Sequence, residues 1–451
     1  MSERPNYLSQ GESARLFPVL STTSKEGKAT SILLACISLV DEFGRKILST
    51  LDQIPARRAK IKSYTEIVFK TENTVSADRP DGLIVVNTRG KEWRALIEAK
   101  IGTAKLNDEQ IERYRKLARE NNIDCVVTIS NQFCTAPNIH PIETIRKRAV
   151  GVPVFHWSWM DILTTTELLL ENKDIINKDQ AIILHEFRRF LSHESTGVRG
   201  YHMMPSEWPQ LNKHVSANGK IDPKSEDSKS VLSAWHQEIR DLSLILSRQT
   251  GTPVSEQLSR KHKKNPSIRF NDELAVLSKT NQLKATLVIP DAAANLEIVA
   301  DLSRRAFDVG MSIKAPEHRK SAKARTKWLI NQINTDLTED LHIQLNWPGK
   351  LAATLHRYNK VMADIGVVEK DRTDKQLLSF KVFYSRSTEK RFSQQTNFIE
   401  DLEKIVPDFY REIGQNLRAW SKPAPKIPPN KTNADDVDVA SIAENSEKPA
   451  E

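Results

Sequence analysis

Pro80-Asp-Gly-Leu-Ile-Val-Val-Asn-Thr-Arg89-Gly90-Lys-Glu-Trp-Arg-Ala-Leu-Ile-Glu98-Ala99-Lys100 is the stretch on which the fold of this chain turns. Two apolar runs of strand length flank Asn87-Thr88-Arg89-Gly90, so the stretch predicts a β-hairpin. Side chains alternate along a strand, which puts Arg94, Leu96, Glu98 and Lys100 on one face. A turn centred between Arg89 and Gly90 pairs residues whose numbers total about 179 and so sets Asp81 opposite Glu98. Two carboxylates at one height repel each other unless a cation lies between them. A hard, oxygen-preferring ion, Mg²⁺ or Mn²⁺, suits such a pair.

Elements on both sides extend the pattern. Leu33, Ile37, Val40, Phe43, Ile47 and Leu51 recur at helical spacing from about Thr30 to Gln53. A basic run (Arg57, Arg58, Lys60, Lys62) leads into a predicted strand, Thr65 to Phe69. After the hairpin, Asn107 opens a helix to about Glu120, with Asp108 and Glu109 favourably placed in its first turn. Asp124 to Ile129 is a continuous apolar run that suits a strand buried on both faces. Val152 to Trp157 predicts a further strand and Lys178 to Leu191 a further helix. The order to about Trp159 is α-β-β-β-α-β-β.

With that order in place, Pro80-Asp81 and Glu98-Ala99-Lys100 resemble the signature of the PD-(D/E)xK nuclease superfamily, which has the restriction-endonuclease-like fold. Gln110-Ile-Glu-Arg-Tyr114 is similar to the QxxxY motif of its RecB-like branch. The resemblance covers about residues 30–165. It implies an α/β domain with a mixed central sheet flanked by helices and, as function, metal-dependent hydrolysis of phosphodiester bonds, with DNA as the expected partner. It further implies that Asp81, Glu98 and the Ala99 carbonyl bind Mg²⁺, that Lys100 positions a water and stabilises developing charge, and that Gln110 and Tyr114 orient ligands or substrate. Family members often add an acid from the first helix or first strand. Glu42 and Glu66 are the candidates, and Glu66 has the better case from its central place in the predicted strand. A role in bacterial defence or DNA processing rests on family analogy alone.

Plainer readings of the same residues stand beside these. Glu98 and Lys100 also fit a surface charge pair on an edge strand, and Asp81 a turn cap after Pro80. Asn107-x-x-Gln110 fits a capping box in which the glutamine turns back to the helix N-terminus. Tyr114 fits simple packing with Leu106 and Leu117. A catalytically silent nucleic-acid-binding or regulatory, stress-response protein on the same scaffold shares every one of these features.

The whole chain narrows the field. Its 451 residues exceed one ordinary domain. The division expected is a lead-in over 1–25, a nuclease-like domain over 26–196, a linker over 197–230, an α+β domain over 231–420, and a disordered acidic tail over 421–451. In the α+β domain the expected strands are 285–290, 296–301, 311–315, 341–347 and 377–384, and the expected helices 231–247, 321–335 and 398–420. No run approaches the roughly 18 apolar residues needed to span a bilayer. The polar N-terminus lacks a signal-peptide core, and Cys36, Cys125 and Cys134 suggest no disulfide framework, so a cytoplasmic location is expected. The net charge is +9, but Lys431 to Glu451 holds six acids and two lysines, leaving +13 on the preceding 430 residues. That excess favours a polyanionic partner, with Arg260-Lys261-His262-Lys263-Lys264 the best single run for phosphate contact. No glycine-rich phosphate loop occurs, and His185-Glu186 lacks the second histidine that a zinc helix needs.

Overall fold

Asp81 and Glu98 sit where a tight hairpin puts them. The computed structural model describes residues 4–18, 25–51, 59–70, 79–147, 151–333, 339–370 and 375–422. Strands β1 (Leu8–Ser13), β2 (Lys60–Phe69), β3 (Gly82–Thr88), β4 (Lys91–Ala99), β5 (Cys125–Ser130) and β6 (Val154–Ser158) form one six-stranded sheet in that spatial order. The β1 to β4 neighbours are antiparallel, and β4, β5 and β6 are parallel. Around this sheet run α1 (Lys25–Leu39), α2 (Asp41–Ser49), α3 (Asp108–Glu120), α4 (Glu143–Lys147), α5 (Trp159–Glu171) and α6 (Lys178–Leu191).

The hairpin turn is Arg89-Gly90, with φ of 52° and 83°. Positive φ at both central residues matches the twist of the flanking strands and leaves no slack in the register. Thr88 pairs with Lys91 and Gly82 with Ile97, so the expected pairing holds along its whole length. Leu83 and Val85 face α3, while Ile84 and Val86 join the core beneath α1 and α2. Gly82 matters for a different reason: a Cβ there would lie 2.4 Å from the Leu34 side chain and 3.1 Å from the Tyr64 carbonyl oxygen. Its missing side chain lets α1 lie close on β3, with the first turn of α1 above the end of β4.

A second sheet is antiparallel throughout, in the order β12 (Thr354–Arg357), β11 (Leu341–Asn346), β13 (Ser379–Ser387), β10 (Ala306–Lys314), β9 (Leu296–Asp301), β8 (Gln282–Val288), β7 (Ser255–Glu256). Its core face packs against α8 (Glu226–Thr250), α10 (Pro266–Thr280) and α13 (Gln395–Glu412). The remaining helices are α7 (Trp208–Ser216), α9 (Arg260–Lys264), α11 (Ala322–Ile330) and α12 (Tyr358–Ala363). The chain is thus mixed α/β around the first sheet, with a separate antiparallel sheet and helices after it.

Several expectations change. The lead-in supplies β1, paired with the outer edge of β2. Only Leu8 of its six residues is buried, so no apolar alternation marked it. The single predicted first helix is two, divided at Val40, which the α1 helix bonds and the α2 helix begins beyond. Helix α5 was not predicted at all. Its three consecutive threonines mask a helix that Ser158 caps through the Met160 N–H and that buries Trp159 completely. The stretch 197–230 is more than a linker: Trp208, Leu211 and Val215 form the buried stripe of α7. Strand β10 begins five residues earlier than expected, and α13 ends at Glu412 rather than Trp420. The expected acidic tail lies, from residue 423 on, outside the described residues.

Candidate active site

The hairpin, helix α3 and helix α1 converge on Glu98. Asp81 precedes β3, and its Oδ2 accepts the Ala99 N–H at 2.8 Å across the strand pair. Glu98 is 2% exposed. Its Oε1 accepts from Lys100 Nζ at 2.6 Å and from Gln110 Nε2 at 2.9 Å. Lys100 Nζ also donates to Glu26 Oε1 at 2.9 Å and to the Ala99 carbonyl at 3.1 Å. The lysine backbone is pinned at both ends, with its N–H donating to the Ile129 carbonyl at 2.7 Å and its carbonyl accepting from Trp159 Nε1 at 2.9 Å. The same unpredicted α5 therefore helps hold Lys100.

Helix α3 starts with Asn107 as its cap, whose Oδ1 accepts the Gln110 N–H at 3.1 Å. That is half of a capping box. The other half is absent, because the Gln110 amide points to Glu98 and donates a second bond to the Tyr114 hydroxyl at 2.9 Å. One helical turn on, Tyr114 donates to the Arg79 carbonyl at 3.2 Å while its ring packs with Leu117. Gln110 and Tyr114 thus lie on one face of α3, stacked over the glutamate, as i and i+4 residues do.

Electrostatics follow from burial. Desolvation, and then the charge of Glu98, push the Asp81 carboxyl up to about 7, against the Ala99 N–H and Lys100. Burial also holds Glu98 above the usual carboxylate range despite its bond to Lys100. Burial disfavours the lysine charge, yet the hydrogen bonds to Glu98 and Glu26 keep its ammonium form favoured. Burial, with Glu98 nearby, keeps the Tyr114 phenol protonated and so a donor. Glu98 Oε2 is buried and makes no hydrogen bond. A buried acceptor without a partner is the kind of atom a cation satisfies. Among the described residues no three His, Cys, Asp or Glu side chains are placed to hold a metal by themselves. Asp81, Glu98 and the Ala99 carbonyl oxygen could hold a hard ion such as Mg²⁺, all through oxygen, with water completing the shell.

Of the extra acids expected, the structure brings neither into this group. Glu66 is solvent-exposed at an irregularity of the β1–β2 pairing, with φ of 51°. The left-handed residue breaks strand alternation, which is why its apparent central position misled. Glu42 stands in the first turn of α2 and lies 3.8 Å from Arg45. Glu26 takes the place instead. It lies in the first turn of α1, one helix earlier than Glu42, and a sharper reading of where that helix starts would have found it.

A second polar group borders the site on the same face of the sheet. Thr128, the register partner of Glu98, lies between two buried histidines: its Oγ1 is 2.9 Å from His140 Nε2 and 2.9 Å from His156 Nδ1. The Ile142 N–H donates to His140 Nδ1, so Nε2 carries the His140 proton and donates to the threonine. His156 Nε2 lies 3.0 Å from the Gln132 carbonyl and must donate there, leaving Nδ1 to accept from Thr128. Burial keeps both rings neutral, lowering His140 to about 3 and His156 to about 4. All three cysteines are free, and Cys36 and Cys125 are buried. In the basic run of α9, Lys261 and His262 both reach Asp272, which leaves less free charge there than the sequence suggested.

No protein-family model, curated protein or solved structure matches this chain.

Proposed function

We propose that this chain is a metal-dependent nuclease that hydrolyses phosphodiester bonds, with DNA as its substrate and an N-terminal restriction-endonuclease-like domain carrying the site. One observation supports the reading above the others: the β3–β4 register sets Asp81 against Glu98, and Lys100, Gln110 and Tyr114 all bear on that same pair. The edge-strand charge pair is the weaker account, because Glu98 is buried and bonded from two elements rather than solvated.

Asp81, Glu98 and the Ala99 carbonyl would hold the ion. When bound, it supplies charge neutralisation and polarisation at the scissile phosphate. The chain's own groups do the rest. Gln110 fixes the Glu98 carboxylate through Oε1 and leaves Oε2 as the ligand atom. Tyr114 fixes Gln110. The Lys100 ammonium, oriented by Glu26, stabilises negative charge as it develops on the phosphate oxygens, and its third N–H, now on the Ala99 carbonyl, would turn to the attacking water once that carbonyl binds the ion. Glu26 is a positioning residue in this scheme, since it reaches the reaction through Lys100.

The test is incubation of DNA and RNA with the protein in Mg²⁺ or chelator, comparing wild type with Asp81→Ala and Lys100→Ala. Metal-dependent cleavage that either substitution abolishes supports the site. Cleavage that survives both removes it. Binding by wild type without cleavage supports the silent scaffold reading.

A further inference from the structure

The chain leaving α6 returns to the active site before it enters the second sheet. Gly197 stands there with φ of 81°, and its carbonyl accepts the Gly102 N–H at 3.1 Å, two residues beyond Lys100. Asn131, directly after β5, ties the two segments together. Its amide donates to the Gly102 carbonyl at 3.1 Å and to the Gly197 carbonyl at 2.8 Å, and its Oδ1 accepts the Arg199 N–H at 3.4 Å. The approach is close: a Cβ on Gly197 would lie 3.2 Å from the Gly102 backbone. At its other end the strap is anchored on α8, where Asp241 Oδ2 accepts the Tyr201 N–H at 2.5 Å.

Between these anchors Arg199 is exposed, and among the described residues it pairs with no carboxylate. Elsewhere among the described residues arginines pair with acids, as Arg240 does with Asp161 and Arg269 with Glu256. Lys105, in the loop that Gly102 begins, is likewise exposed and unpaired. Arg199 lies near enough to His202 that its charge adds to burial in holding that imidazole below its usual range. Two exposed cations thus stand on segments fastened together two residues beyond Lys100, Arg199 on the strap and Lys105 on the loop that Gly102 begins. A fastened backbone leaves only the side chain to be ordered when the arginine grips a phosphate, and its planar fork suits two phosphate oxygens.

We propose that the strap 197–202 is one wall of the substrate groove and that Arg199 grips a backbone phosphate of a nucleic-acid strand lying across Asp81 and Glu98. This rests on the nuclease reading. It goes further in requiring a polymer that reaches past the scissile phosphate, so a small phosphate ester lacks the contact that Arg199 makes.

Fluorescence anisotropy of a labelled DNA duplex and of a single strand, with Ca²⁺ in place of Mg²⁺, measures this over a range of salt. Arg199→Ala weakens binding about fivefold to tenfold near 0.1 M salt and reduces the slope of log affinity against log salt by about one phosphate contact. Arg199→Lys recovers the salt slope and part of the affinity, which a merely structural role would not predict. Wild type that binds with Arg199→Ala indistinguishable in affinity and slope overturns the strap proposal and leaves the nuclease reading intact. Wild type that neither binds nor cleaves nucleic acid overturns both.

Discussion

Glu98 beside β5 and Glu238 in α8 are both glutamates buried to 2% exposure or less, yet their surroundings are opposite. Glu98 receives Lys100 and Gln110, and only one of its oxygens lacks a partner. Both oxygens of Glu238 lack one, and its nearest charged company is acidic, Asp241 on the same helix and Glu403 on α13. Asp241 gives one oxygen to Tyr201 and leaves the other bare. A buried carboxylate with a lysine, an amide and a free lone pair has donors that offset part of its desolvation and an oxygen open to a ligand. One with no donors is arranged to stay protonated. The first region offers a countercharge and an open lone pair, and the second favours a proton.

The largest expected effect comes from breaking the first arrangement. Lys100→Met leaves Glu98 buried without its countercharge and destabilises the chain by about 2–4 kcal/mol, since losing one partner of a buried pair exposes the full desolvation cost. Adding Glu98→Gln to Lys100→Met restores much of that stability. Chemical denaturation of the two single variants and the double variant measures the coupling, and additive losses would sever the two residues.

Glu238→Gln has the opposite sign. Burial raises Glu238 well above the usual range, Asp241 to about 6, and Glu403 to about 7, the last with help from Asp241. Folded pKa values above the unfolded ones mean that this stability is full below the ordinary carboxylate range and declines as pH rises through the folded values. His140 and His156 work the other way, their lowered values costing stability as pH falls below about 6.5. Above about pH 6.5 the histidines no longer contribute a slope, so wild-type Tm should fall as pH rises through about 7, where Glu403 ionises, while Glu238→Gln shows a flatter profile and a higher Tm. An unchanged slope in the variant would show that Glu238 does not carry the proton.

Smaller effects separate the acid that reaches Lys100 from the acid that does not. Glu26→Gln should slow cleavage on the order of tenfold, acting through Lys100 orientation, with metal affinity little changed. Glu66→Gln should leave the rate within about twofold, and Glu66→Gly should stabilise the chain by about 0.5–1 kcal/mol by relieving a left-handed backbone. Steady-state cleavage rates and denaturation midpoints read both.

Much of the first sheet was legible because its signals are local. Arg89-Gly90 fixes a two-residue turn, the turn fixes the register, and the register fixes Asp81 against Glu98 before any tertiary contact is known. Gln110 and Tyr114 were legible through their resemblance to the QxxxY motif, with helical spacing setting both on one face, although sequence left open whether the glutamine capped its own helix. Glu26 escaped because α1 begins earlier than its strongest apolar residues suggest, and because its link to Lys100 spans 74 positions. Glu66 misled because a bulge reverses which face a side chain takes. The strap was invisible for a similar reason: Gly197 and Pro205 read as linker residues, and only the fold brings Gly197 to Gly102. Trp208, fully buried in that same supposed linker, was the one residue whose size argued against it.

The account stands or falls on whether Asp81 and Glu98 hold a divalent ion together. Calorimetric titration of Mn²⁺ into the wild type, Asp81→Asn and Glu98→Gln, each confirmed folded by its unfolding transition, tests this without substrate. Saturable binding by the wild type that both substitutions abolish or weaken at least about tenfold is the result predicted. No binding by the wild type, or equal binding by all three, would contradict it.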